Sequence, residues 1–109
     1  MKKELPETYK QILSLIGEGK DNARTVTYIS KVLGLSSVLV REVVSDMVVK
    51  HGIGIGTSNT RGSSGYYLIS NDAEKQETAR NLRSRAMKIL QRASVISSLP
   101  PGGQKKIDF

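Results

Sequence analysis

Arg41, Ser36, Ser37 and Arg61 are the residues of this 109-residue chain whose types and spacing could do chemistry, and that chemistry is the gripping of bases and phosphates. A guanidinium can hold guanine O6 and N7 together, so Arg41, set within a valine-rich stretch, is a candidate base contact. Paired instead with Glu42 or Asp46, it is an ordinary surface cation. Ser36 and Ser37 stand where a helix begins. A hydroxyl there either binds phosphate beside the positive helix end or only caps the helix. Val38 follows them on the same turn. Lys31 and Lys50, to either side, are phosphate contacts or solvated charges. Arg61 lies in a glycine- and serine-rich segment with Thr57, Asn59 and Thr60, and there it reaches a minor groove or a phosphate, or merely serves solubility.

Catalysis finds no comparable constellation. There is no cysteine, hence no disulfide, thiolate metal site or cysteine nucleophile. The lone His51 falls at a helix end with no second histidine beside it, which suits capping or solvent. The acidic residues are scattered without a paired-carboxylate motif. Gly52-x-Gly54-x-Gly56 lacks the spacing and the following helix of a phosphate-cradling loop. The expectation is a binding protein and not an enzyme, with no metal and no cofactor. The net charge of +7 and pI near 9.9 favour polyanionic partners. No apolar run approaches the roughly 20 residues of a membrane span. The opening MKKELPETYK lacks the apolar core of a signal peptide, so a cytoplasmic, nucleoid-associated protein is expected, with no membrane partner.

These residues need elements to position them. Leu5, Tyr9, Ile12, Leu13 and Ile16 recur with helical period, predicting a first helix from Glu7 to Ile16 that Gly17 and Gly19 stop. GEGKDNAR, residues 17–24, is a polar loop. Arg24-Thr25-Val26-Thr27 is short and β-branched, a candidate strand to pair with a later hairpin; alternatively Thr25 or Thr27 caps a second helix, Tyr28 to Leu33, with Ile29, Val32 and Leu33 as its buried face. After Gly34 and Leu35, Val40, Val43, Val44 and Met47 define one face of a third helix, Ser37 to Lys50, which Gly52 ends. Valine is a poor helix former, so burial must hold this segment helical, and a strand is the competing local reading. Ile53–Thr57 and Gly65–Ser70 read as the strands of a hairpin with a long tip, Ser58–Ser64. The glycines at 52, 54 and 56 suggest a close backbone approach or bending. Tyr66 and Tyr67 face opposite sides of the second strand, one toward the core.

From Asn71 the composition changes. Asn71 or Asp72 caps a long helix, acidic early and basic late, as the helix dipole favours. Ala79, Leu82, Ala86, Ile89, Ala93 and Ile96 form a heptad seam of about two and a half repeats, which Leu90 and Met87 widen. The seam either pairs with its copy in a homodimer or folds back on the first helix. Arg80, Arg83, Arg85, Lys88 and Arg92 are the solvated side of this helix, an extension of the electrostatic footprint, or a site for an acidic partner. Pro100-Pro101-Gly102-Gly103 ends the helix. In the tail beyond, Gln104, Ile107 and Phe109 match the anchors of the short peptides that bind sliding clamps.

The pattern L-G-L-S-x-x-x-V-R-E-x-x-x-x-M-x-x-x-G-I, residues 33–53, resembles the turn and recognition helix of winged helix-turn-helix regulators, nearest the GntR type. The resemblance implies that Ser36, Ser37, Val38 and Arg41 face DNA and that Glu42 braces the helix pair. Ser37 and Val38 stand where arginine and threonine are common, and the effector domain of that family has no counterpart in the 38 residues after Asn71. It therefore extends to winged helices generally, over about residues 7–70.

The expected fold is α+β, mostly α: a winged helix-turn-helix over residues 5–70, a dimerising amphipathic helix over 71–98, and a flexible tail over 99–109. The expected function is sequence-specific binding of double-stranded DNA as a small homodimeric transcriptional regulator. The alternatives are an origin-binding or accessory replication protein that recruits a sliding clamp or other partner through its tail, and a winged-helix adaptor between proteins.

Overall fold

The computed structural model describes residues 5–101, in which four helices accompany one two-stranded antiparallel sheet. The elements are α1 (Glu7–Leu15), a 3₁₀ turn (Lys20–Asn22), α2 (Val26–Leu33), α3 (Ser37–His51), β1 (Ile55–Thr60), β2 (Ser63–Leu68) and α4 (Asp72–Ser98). The backbone separates into two compact units, residues 1–78 and 79–109, with the boundary inside α4.

The first unit is built on α3. Val40, Val43, Val44 and Met47 are buried, as their spacing requires, and they pack with Ile12, Ile16, Ile29 and Ile55. That burial answers the poor intrinsic helicity of the valines and selects helix over strand. α1 ends at Leu15, and Ile16 enters the core from extended backbone. α2 begins at Val26, two residues before the expected start, because Thr25 caps it: its Oγ1 accepts the Tyr28 N–H at 3.0 Å. The buried stripe is Val26, Ile29, Ser30 and Leu33; Val32, on the other flank of Ile29, falls off it and is 53% exposed, contrary to its expected burial.

A short turn joins α2 to α3. Gly34 takes φ +68°, the left-handed conformation that a C-terminal cap requires. The Leu35 N–H reaches back to the Ser30 carbonyl at 3.1 Å, and the Ser30 hydroxyl donates to the Leu35 carbonyl. Ser36 then opens α3, its Oγ accepting the Leu39 N–H at 3.1 Å.

The hairpin differs from expectation. Pairing runs from Ile55↔Leu68 to Thr60↔Ser63, so the tip is the two residues Arg61-Gly62 and not a long loop. Ser58, Asn59 and Ser64 have little strand propensity, but the ladder satisfies their backbone groups and carries pairing to the turn. β2 also meets the polar loop on its other side. Leu68 bonds to Gly17 and Gly19, and Arg24 and Tyr66 exchange N–H···O bonds of 2.8 Å. Of the two neighbouring tyrosines, Tyr67 is the fully buried one, its hydroxyl 3.3 Å from the Thr78 hydroxyl of α4.

Asn71 caps α4, its Oδ1 accepting the Glu74 N–H at 2.9 Å. Glu74 binds three donors in return: the Ser70 N–H and hydroxyl through Oε1, and the Lys20 N–H through Oε2. Those hydrogen bonds, first the one from the Ser70 backbone, hold its carboxyl below the usual carboxylate range. Lys20 completes the attachment with a 2.9 Å ion pair to Glu77, which raises the pKa of its ammonium.

Candidate nucleic-acid interface

α3 turns one stripe to solvent: Val38, Arg41, Glu42, Ser45 and Val49. Arg41 sits in the middle of it, and no hydrogen bond, ion pair or ring contact engages it among the described residues. The alternative pairing with Asp46 does not occur because that carboxylate is committed elsewhere. Asp46 accepts the Tyr9 hydroxyl at 2.7 Å through Oδ2, and its Oδ1 lies 3.2 Å from Lys50 Nζ. The Tyr9 hydrogen bond, followed by Lys50, lowers the Asp46 pKa, and the same contact raises that of Tyr9. Tyr9 also meets His51 edge-to-face at 6.0 Å between ring centroids, so the histidine ends α3 against α1.

Ser36 spends its hydroxyl oxygen on the cap, while Ser37 is the half-buried first residue of α3. Lys50 is ion-paired within its own helix, whereas Lys31 on α2 is exposed with no partner among the described residues. An open cleft of about 400 Å³ lies between the start of α1 and the flank of α3. Its charged lining is Glu42, Asp46 and Lys50, a balance that disfavours phosphate.

Arg61 occupies the hairpin turn and is exposed, as are Asn59 and Thr60; Thr57, deeper in the ladder, is half-buried. The tip thus presents one cation on paired backbone.

The cations are not spread evenly. Residues 1–78 hold ten Lys and Arg against nine Asp and Glu, a net charge of +1. Residues 79–109 hold seven against one, a net +6 that accounts for most of the +7 of the chain. In the first unit, Lys20, Lys50 and Lys75 are also ion-paired. The signal was visible in sequence as a run from Arg80 to Arg92 without one acidic residue.

On α4, Ala79 is half-buried and every residue from Arg80 to Pro101 is exposed. The expected seam residues Leu82, Ala86, Ile89, Leu90, Ala93 and Ile96 are therefore all accessible, with Ile89 at 52% and Ile96 at 62%. Gln104, Ile107 and Phe109 lie outside the described residues. Among those described, no helix is long and apolar enough to cross a membrane.

Compared with known proteins, the chain matches no family model, no curated protein and no solved structure. Sequence reasoning missed Ser30 and Thr78, whose partners, a carbonyl and a hydroxyl, are brought to them by the fold and leave no local spacing signature. Glu74 was legible as an early acidic residue of the last helix, three residues after Asn71, but its hold on the Lys20 amide was not.

Proposed function

We propose that this chain binds double-stranded DNA with sequence preference, as a homodimeric regulator of transcription built on a winged helix-turn-helix. The observation that carries this is Arg41: an unpaired guanidinium at the centre of the solvent stripe of a helix whose other face is locked into the core. α3 enters a major groove, roughly 12 Å wide, with Arg41 reading guanine and Val38 available for a thymine methyl. The hairpin is the wing, and Arg61 at its tip meets the neighbouring backbone. The Arg24–Tyr66 bridge supports this assignment, because it gives the hairpin a third pairing partner just before α2.

Two copies join through α4. In heptad terms Ala79, Ala86 and Ala93 alternate with Leu82, Ile89 and Ile96, and accessible apolar side chains at these positions suit closure by a second chain. Two-fold symmetry would match a palindromic site. Selection from a random duplex library tests the function. A recovered site with inverted repeats, bound far more tightly than random duplex, is the expected result; equal affinity for both removes the proposal.

A protein-binding adaptor is the competing function. It is favoured by Val38 and Val49, which are 61% and 79% exposed on the same stripe. Salt separates the two: phosphate neutralisation gives a steep fall of log K with log salt, about −0.9 per contact on B-DNA, and an apolar protein contact does not.

A further inference from the structure

We infer that the phosphate backbone of the bound duplex is gripped by the basic rows of α4, Arg80 to Arg92, and that the first unit contributes the reading but little of the electrostatic hold. This rests on the duplex-binding function proposed above. The first unit is close to neutral, and on its α3 stripe Glu42 stands beside Arg41. A nearly neutral body releases few counterions and steers weakly. α4 supplies what is missing. Arg80, Arg83, Arg85, Lys88 and Arg92 are all exposed, and no hydrogen bond or ion pair occupies any of them among the described residues. At about 1.5 Å per residue they span about 18 Å, along which a duplex carries roughly ten phosphate charges. Four of the five are arginines, whose planar fork fits phosphate oxygens.

Their placement agrees with a closed seam. At 100° per residue, Arg85, Lys88 and Arg92 form a row on one side of Leu82, Ile89 and Ile96, and Arg80 and Arg83 lie on the other. In a parallel pair Arg85 falls opposite the second copy's Leu90, and Arg92 opposite the second copy's Ser97. No cation then meets a cation across the seam, and dimerisation doubles the array. An anionic lipid surface is the other polyanion to consider. α4 has no aromatic residue and places alanine at three of its six seam positions, which leaves little apolar bulk to insert among acyl chains.

The test uses the full chain carrying Arg83→Gln, Arg85→Gln, Lys88→Gln and Arg92→Gln together. Duplex affinity is followed from 50 to 400 mM salt beside wild type and Arg41→Ala. With four charges removed from each of two chains, the expected result is a slope of log K against log salt shallower by about 7, with the preference for selected over random duplex retained. Arg41→Ala should do the reverse, losing preference while changing the slope by about two at most, one charge from each chain. If the fourfold variant loses its dimer or helix content, Arg80→Gln with Lys88→Gln, both off the seam, should still flatten the slope by about 3 to 4, two charges being lost from each chain of the dimer. An unchanged slope in a folded variant that still binds overturns the inference and leaves DNA binding standing. So does loss of binding only to vesicles of phosphatidylcholine and phosphatidylserine, which would assign the rows to lipid. Failure of wild type to bind any duplex at 50 mM salt removes the underlying function as well.

Discussion

Arg24 and Tyr66 exchange two backbone hydrogen bonds of 2.8 Å, tying the residue before the α2 cap to the second strand of the hairpin. Gly65 makes this approach possible. A Cβ there would lie 2.0 Å from the Arg24 carbonyl oxygen, and its φ of +116° is hostile to any side chain. Gly65→Ala should therefore cost about 3 kcal/mol, combining backbone strain with loss of the bridge. Urea unfolding measures it, and a change under about 0.5 kcal/mol would mean that the two segments are not in contact.

Tyr67 and Thr78 form a buried hydroxyl pair, which predicts non-additivity. Tyr67→Phe leaves the Thr78 oxygen without its partner and should cost about 1 to 2 kcal/mol. Adding Thr78→Val removes the orphan and should recover much of that loss. Simple addition of the two single costs in a double-mutant cycle would contradict the pairing.

Arg41→Ala should leave stability within about 0.5 kcal/mol of wild type, because the side chain is exposed and unengaged. Duplex affinity should fall by about 1 to 3 kcal/mol, with relaxed preference at one base pair. A matched fall on every sequence would make Arg41 a phosphate contact instead.

Ile89→Glu places a charge at the centre of the α4 seam. Sedimentation equilibrium should show wild type as a dimer and the variant as a monomer, with the core of the first unit intact by circular dichroism. A wild-type monomer at tens of micromolar would end the dimer proposal.

Asp46 and Glu74 both have lowered pKa values in the fold, through the Tyr9 and the Ser70 hydrogen bonds respectively. Below the ordinary carboxylate range, near about pH 4, the unfolded chain takes up protons that the folded chain still refuses. Stability from these groups is thus complete above that range and is lost as pH falls through the lower folded values. Unfolding midpoints between pH 6 and 2 should drop at the acid end, and less steeply in Glu74→Gln. Identical acid limbs in the two proteins would deny Glu74 its role.

The core of the first unit was legible because it is local in period. Val40, Val43, Val44 and Met47 announce their shared face at any register, and Gly34 with Ser36 marks the corner before them. The hairpin tip was illegible for the opposite reason. Asn59, Thr60 and Ser64 pair through backbone groups that every residue carries, so side-chain composition suggested a loop. Val32 was misjudged because it flanks Ile29 on one side, and the core closes over the Val26 and Ser30 flank on the other. Glu74 could be read only as an acidic residue in a first turn; its capture of the Lys20 amide depends on a loop distant in sequence. The basic run from Arg80 to Arg92 stood in the sequence, but the split of charge between two bodies needed the boundary at Thr78 that the fold supplies.

The two-residue closure at Arg61-Gly62 has a thermodynamic corollary. Six paired residues at about 3.3 Å each make an arm of roughly 20 Å whose tip is carried on backbone already paired before any partner arrives. Docking such an arm freezes few backbone torsions, so the ordering cost is confined to the side chains at its tip. Calorimetry on the complex should accordingly show a heat-capacity decrement sized to the contact surface alone, without the excess that accompanies a segment folding as it binds.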